Sequence, residues 1–159
     1  MAKARQIRGL NGDVTFAEAA ARAVQVRSKE VFEHADGVLD TSDPERVHDM
    51  RVATRRLRAA LEIFAVCFPK PEHRALLREV KALADALGER RDPDVQMAAL
   101  EQLKGALGAG ERTGVNGLVA ELRERQRQGN ERLEVALERM REQRLDERLD
   151  ELAAQAVAS

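Results

Sequence analysis

The stretch VHDMRVATRRLRAALEIF, residues 47–64, places one histidine and four arginines in a segment whose apolar residues recur at helical spacing. With about 100° of rotation per residue, four of these five basic residues share one face of the helix, and Arg56 points elsewhere. This face lies beside the apolar stripe and not opposite to it, so its cations are expected at the rim of the packed interior. The basic stripe consists of His48, Arg51, Arg55 and Arg58.

The composition of the chain favours an all-α protein. Its 159 residues include no Trp or Tyr and only four Phe, whereas helix-forming residues are abundant. Because 27 Lys and Arg stand against 28 Asp and Glu, binding of a polyanion has to come from local clustering and not from a global field. The single cysteine, Cys67, excludes an intrachain disulfide and a multi-cysteine metal site, and we predict it to be a small core residue.

Helical periodicity and capping signals predict an antiparallel helical bundle of four or more helices with a long C-terminal helix. Residues 1–14 are predicted to be a basic N-terminal tail, and residues 15–155 a single helical domain. Thr15 and Asp43 are predicted as the N-caps of the first two helices. Gly88 is placed as the stop of the third helix, Asp92 and Asp94 as caps of the fourth, and residues 108–114 as a loop. The predicted helices cover residues 15–39, 44–68, 72–87, 93–107 and 115–140, with a further amphipathic helix over 141–155.

No segment of the chain has the pattern of a membrane protein or a secreted one. The basic N-terminus lacks the apolar segment of a secretory signal, and no later stretch is long enough to span a membrane. We therefore expect a cytoplasmic protein without a membrane partner.

Cationic side chains also interrupt or flank the apolar stripes of other predicted helices. Arg27 falls on the stripe of the first helix, Arg125 falls on that of the long C-terminal helix, and Arg132 flanks the latter. Lys81 flanks the apolar side of the third helix. Because an unpaired charge is costly to bury, these residues must meet carboxylates, water or a bound anion. Gly129, on the C-terminal stripe, allows close approach of a backbone or a ligand, or marks a kink.

A phosphate chain is the anion that such a group of residues suits best. The planar guanidinium group binds phosphate oxygens through paired hydrogen bonds, and several arginines with one lysine match a linear, densely charged ligand. Proteins that bind single-stranded nucleic acid normally add aromatic stacking platforms, which this chain almost lacks. The residues therefore favour an anion without bases, and nucleic acid is not the expected partner.

Two motifs of this chain resemble those of the CHAD family, the conserved-histidine α-helical domain. VHDMRVATRRLRAALEIF is similar to its H-x-x-R-V-x-x-R-R-L-R signature, and KALADALGERRDPDV, residues 81–95, is similar to its L-G-x-x-R-D-x-D-V turn. The resemblance implies a helical fold whose basic surface binds inorganic polyphosphate, in some members at polyphosphate granules. Because no obvious carboxylate pair for a metal lies near the motif, we predict a non-enzymatic binding protein without a cofactor, metal or catalytic residue. It implies that the ligand-contacting residues are His48, Arg51, Arg55, Arg58 and Lys81, with Arg56 as a further match.

The resemblance also leads to a prediction about assembly. Full-length members resemble two related bundles that each carry the histidine motif, with the anion groove between them. This chain carries the motif once and has about half of the expected length. We therefore predict a homodimer in which a two-fold axis places one motif on each side of the groove.

Three alternative functions remain open at the level of sequence. An enzyme would use His48 as a phosphoryl acceptor or a general acid. A scaffold protein would use its charged helices for helix contacts, with the arginines paired to Asp49, Glu62 or acids on neighbouring helices. An RNA-binding protein would use the same basic groove without base stacking. For His48 itself, a hydrogen-bonded core position is the alternative to a donor role toward phosphate.

Overall fold

The computed structural model describes residues 3–158 and confirms the all-α class. Over these residues the chain forms five α-helices and no strand, and a 3-10 turn, Ala65–Cys67, follows the second helix. The helices are α1 (Phe16–Glu33), α2 (Pro44–Ile63), α3 (Lys70–Lys104), α4 (Ala109–Glu142) and α5 (Leu145–Ala158).

The hydrophobic core lies where all five helices meet. Helix α1 packs against α2 and α5, α2 packs against α3, and α3 and α4 pair with each other. Cys67 packs against this core in a partly buried position, where desolvation raises the pKa of its thiol. At 1.5 Å per residue α3 and α4 each extend about 50 Å. Their outer parts form a hairpin whose own buried seam contains Val115, Val119 and Leu122.

The predicted helix starts at Thr15 and Asp43 are confirmed. The Thr15 hydroxyl accepts a hydrogen bond from the Glu18 backbone N–H at 3.2 Å, and the Glu18 carboxylate accepts one from the Thr15 N–H at 2.8 Å. Asp43 accepts from the Glu45 N–H at 3.1 Å, with Pro44 as the first helical residue. Both helix starts could be predicted from the sequence because an N-cap side chain binds backbone N–H groups only two or three residues further along the chain.

Helices α1 and α2 end earlier than predicted. Helix α1 stops at Glu33 and not at residue 39, and the chain continues through turns in which Gly37 adopts a φ of 70°. Ala35 and Val38 nevertheless stay buried in the core, which explains why their apolar spacing resembled a longer helix. Helix α2 gives way to the 3-10 turn before residue 68.

The prediction of two short helices over residues 72–107 was wrong, because α3 runs without interruption from Lys70 to Lys104. Gly88 lies inside this helix and is not its stop, and Pro93 is a buried interior residue. An interior proline costs about 3 kcal/mol, since it removes the hydrogen bond to the carbonyl four residues earlier. Long-range packing against α4 has to offset that cost. Asp92 and Asp94 are consequently helix-interior residues and do not cap a helix.

Residues 108–114 were also predicted wrongly, as a loop. Helix α4 begins at Ala109, and the connection between α3 and α4 is limited to residues 105–108. The Glu111 carboxylate accepts a hydrogen bond from the Gly108 N–H at 2.9 Å, which satisfies one of the free donors at the helix start. The glycines of this stretch lower its local helix propensity, so the sequence suggested a loop, but packing against α3 stabilises the helix.

Gly129 permits the close approach of α4 to α3 at the turn that contains Pro93. A β-carbon added at Gly129 would lie 3.1 Å from the Arg90 Cα and 3.2 Å from the Glu89 carbonyl oxygen. That carbonyl is the one that Pro93 leaves without its usual helical donor. Among the roles predicted for Gly129, the structure therefore shows the close approach of another helix backbone.

We expect Gly129→Ala to lower the free energy of unfolding by about 1–3 kcal/mol, because its methyl group would overlap helix backbone that has little freedom to move. Gly117→Ala is the matched control, since a β-carbon there meets nothing within 4 Å. The control should stabilise the protein by about 0.5–1 kcal/mol through helix propensity alone. Urea unfolding followed by far-UV circular dichroism measures both; equal stabilisation by the two substitutions would contradict the close contact.

The N-terminal segment lies along α1. The Arg22 guanidinium donates to the Gly9 carbonyl at 2.6 Å, and the Arg5 N–H donates to the Glu30 carboxylate at 2.5 Å. Residues 1 and 2 of the predicted tail lie outside the described residues. Among residues 3–158, no helix combines the length and the apolar character that a membrane span requires.

Candidate anion-binding site

Helix α2 presents two arginines of the motif to solvent. Arg51 and Arg55 are exposed, while buried residues such as Met50 and Leu57 fix the apolar side of the helix in the core. Within the described part of the chain, neither guanidinium group has a hydrogen-bonded or ion-paired partner. Two positive charges on a rigid helix are thus available to an external anion.

Arg58 and Lys81 meet at one carboxylate, which joins α2 to α3. The Arg58 Nε donates to Glu62 Oε1 at 3.0 Å, and the Lys81 Nζ lies 3.4 Å from the same oxygen. The hydrogen bond from Arg58 and the nearby Lys81 together hold the pKa of Glu62 below its ordinary value, so it remains ionised at neutral pH. Each of the three side chains is 42–43% exposed. The pairing with Glu62 considered for the scaffold function therefore occurs, but two cations share one acid.

Among the described residues, Arg27, Arg125 and Arg132 make no hydrogen bond or ion pair with the Arg58–Glu62–Lys81 group. Arg27 donates to the buried Glu30 carboxylate at 2.8 Å and to the Arg5 carbonyl at 3.0 Å, so its charge is matched internally. Arg132 pairs with Glu89 at 2.7 Å near the surface, and Arg125 is exposed. Arg56 is half-buried. The inward direction predicted for Arg125 and Arg132 was wrong. The buried seam of α4 includes Val119 and Leu137 and leaves Leu118 exposed, so it is turned away from both arginines.

The fully buried arginine is one that sequence reasoning missed. Arg90 has no exposed surface, and its Nη1 donates to both carboxylate oxygens of Asp94 at 2.9 and 2.8 Å. Its Nε donates to the Asn130 side chain at 3.0 Å, and Gln126 donates to Asp94 at 2.6 Å. Among the residues that the structure describes, Arg90 Nη2 is a buried polar atom without a partner. The spacing of Arg90 and Asp94, four residues apart on a helix, was the available signal.

This buried network also fixes the start of the motif helix. Asn130 donates to the Leu39 carbonyl at 3.0 Å, and the Arg91 guanidinium donates to the Pro44 carbonyl at 3.3 Å. Leu39 lies in the segment before α2, and Pro44 is the first residue of α2. The L-G-x-x-R-D-x-D-V motif, residues 87–95, therefore has a structural role, because it helps to hold the start of α2 against the α3–α4 pair.

His48 lies between two acids at the beginning of the basic stripe. One ring nitrogen of His48 and one carboxylate oxygen each from Glu45 and Asp49 lie within 4.8 Å of one another, close enough to hold a metal ion. The sequence had not suggested this cluster. The hydrogen-bonded core histidine is instead His73, whose Nε2 lies 2.7 Å from the Leu61 carbonyl and whose ring stacks on Phe68.

The chain is similar to known proteins at the level of a domain family. Curated proteins give no significant match. The profile of the CHAD domain matches residues 22–159, which include α2, Lys81 and the buried Arg90–Asp94 pair. The chain therefore belongs to the CHAD domain family, a family of binding domains associated with polyphosphate.

Proposed function

We propose that this protein binds inorganic polyphosphate, without chemical conversion, on the surface formed by α2 and α3. The observation that carries the proposal is the exposure of Arg51 and Arg55 without carboxylate partners among the described residues, next to the Arg58–Glu62–Lys81 group. His48 lies at one end of this surface as a further donor. The expected location is the cytoplasm, including polyphosphate granules.

The aromatic side chains support an anion without bases. Phe68 is buried, Phe32 and Phe64 pack against the core, and the Phe16 ring contacts that of Phe64 at 4.8 Å between centroids. No Trp or Tyr is present in the sequence. Stacking on aromatic rings supplies much of the affinity for single-stranded nucleic acid. RNA should therefore compete poorly at equal phosphate concentration.

A titration with long-chain polyphosphate at two salt concentrations, without divalent metal and with RNA as competitor, tests the proposal. We expect tight binding that weakens with salt, as counterion release requires, and that RNA fails to displace. Displacement by RNA at equal phosphate concentration would indicate a general polyanion binder. Absence of binding would favour the scaffold function.

We further propose that two copies of the chain associate so that one motif helix lies on each side of the anion. Since the motif occurs once in these 159 residues, a two-fold axis would supply the second basic stripe. A polyphosphate chain that bridges both copies would bind more tightly through effective concentration. Light scattering at micromolar protein, with and without polyphosphate, should give the mass of a dimer; a monomer under both conditions would contradict this arrangement.

A further inference from the structure

The basic surface extends along α3 beyond the residues that the motif includes. Arg74, Arg78 and Lys81 follow one another at spacings of four and three residues, and with Pro71 and Leu77 they line a depression of about 500 Å³. Arg74 and Arg78 are exposed, and neither has a carboxylate partner within the described residues. Lys81 thus connects the stripe of α2 to a second row of cations.

Arg78 also lines a neighbouring groove of about 490 Å³ between α3 and the end of α4. Arg139 lies on the α4 side of this groove, and alanines at positions 75, 82 and 136 keep it open. Small side chains at these positions allow an extended ligand to approach the helix backbones while the two guanidinium groups flank it. The groove therefore offers a pair of cations in a shallow, partly apolar site.

Glu79, the acidic residue that lines this groove, is already paired with Arg148. Both terminal nitrogens of Arg148 donate to the Glu79 carboxylate, at 2.9 and 2.8 Å. In the amide orientation that satisfies its neighbours, Gln143 donates to Glu79 at 3.1 Å and accepts from the Arg139 Nε at 3.2 Å. The charges of Arg78 and Arg139 are consequently not cancelled by the carboxylate that lines the groove with them.

We propose that long polyphosphate continues from the α2 stripe across Lys81 to a second phosphate subsite formed by Arg78 and Arg139. This inference rests on the proposed function and adds chain-length selectivity to it. Glu62 is the acid at the junction of α2 and α3, and it is shared by Arg58 and Lys81, so the junction remains net positive. Tripolyphosphate can occupy only one part of this path, whereas a long chain can engage both parts at once and gain by effective concentration.

The test compares tripolyphosphate with long-chain polyphosphate in isothermal titrations of the full chain. The Arg78→Ala/Arg139→Ala variant should lose about tenfold in affinity for the long chain, with a smaller salt dependence, and change little toward tripolyphosphate. Arg74→Ala/Arg78→Ala serves as a second variant that leaves the Arg139–Gln143 contact in place. The matched control, Arg123→Ala/Arg141→Ala, removes two exposed arginines of α4 that have no carboxylate partner among the described residues.

The outcomes separate the two proposals. Retention of long-chain affinity by both subsite variants, or equal losses in the subsite and control variants, would overturn the second subsite while leaving polyphosphate binding intact. Equal losses for both ligands would also overturn it, because the groove would then belong to the primary site. Failure of the unmodified protein to bind either ligand would instead overturn the proposed function.

Discussion

Replacing Asp94 with alanine should lower the free energy of unfolding by about 3–5 kcal/mol, the largest loss that we expect from a single substitution in this protein. The Arg90 guanidinium has no exposed surface, and Asp94 supplies its only carboxylate contact among the described residues. Without that carboxylate a full positive charge stays buried with one amide contact, from Asn130. Since domains of this size are stable by only about 5–15 kcal/mol, the loss would remove a large part of the total.

The exposed ion pair one residue away provides the control for this prediction. Glu89→Gln removes the partner of Arg132, whose side chain is 65% exposed, and should cost no more than about 1 kcal/mol. Urea unfolding has to be followed by far-UV circular dichroism, because the chain contains no Trp or Tyr as an intrinsic probe. Similar losses for Asp94→Ala and Glu89→Gln would show that the buried pair contributes no more than a surface pair.

A double substitution separates the loss of the ion pair from the loss of packing. Arg90→Met/Asp94→Leu replaces both charges with apolar side chains and should recover most of the stability lost in Asp94→Ala, because no unpaired charge remains. If Asp94→Ala proves too unstable to purify, the comparison of Asp94→Asn with this double variant tests the same point. A double variant less stable than Asp94→Asn would mean that the network fixes the helices through geometry and not through charge balance.

The second large effect is expected on binding. Arg51→Ala/Arg55→Ala should reduce the affinity for polyphosphate by about 100-fold, or roughly 2.7 kcal/mol, since two charge-assisted hydrogen bonds to phosphate are lost. The free energy of unfolding should not fall, because both side chains are exposed and neither has a partner among the described residues. Removing two like charges four residues apart on one helix favours the helix slightly.

The Arg123→Ala/Arg141→Ala variant is again the matched control, with the same change in net charge. It should retain polyphosphate affinity within a fewfold, and any loss should vanish at higher salt, where long-range attraction is screened. Equal losses in the two double variants would mean that affinity follows net charge and not the α2 stripe. Unchanged binding by Arg51→Ala/Arg55→Ala would move the binding site away from the motif altogether.

The sequence by itself was enough to predict the fold class, the starts of α1 and α2, and the basic stripe of α2. Caps such as Thr15 and Asp43 act through contacts two or three residues apart, and a stripe such as Arg51–Arg55–Arg58 follows from helix geometry alone. The same reasoning could have found Arg74 and Arg78, which share the spacing of Lys81. These features depend on neighbours in the chain, so their signals are local.

The tertiary structure alone decided where the buried charges lie and how far α3 extends. Gly88 and Pro93 indicate a helix end locally, yet α3 continues because packing against α4, including the close contact at Gly129 and the hydrogen bond from Arg90 to Asn130, outweighs a cost of about 3 kcal/mol for the proline. In the same way Arg78 and Arg139, 61 positions apart in the sequence, line one groove. Such outcomes depend on which helices become neighbours, and the energy of those long-range contacts exceeds the local preferences that a sequence displays.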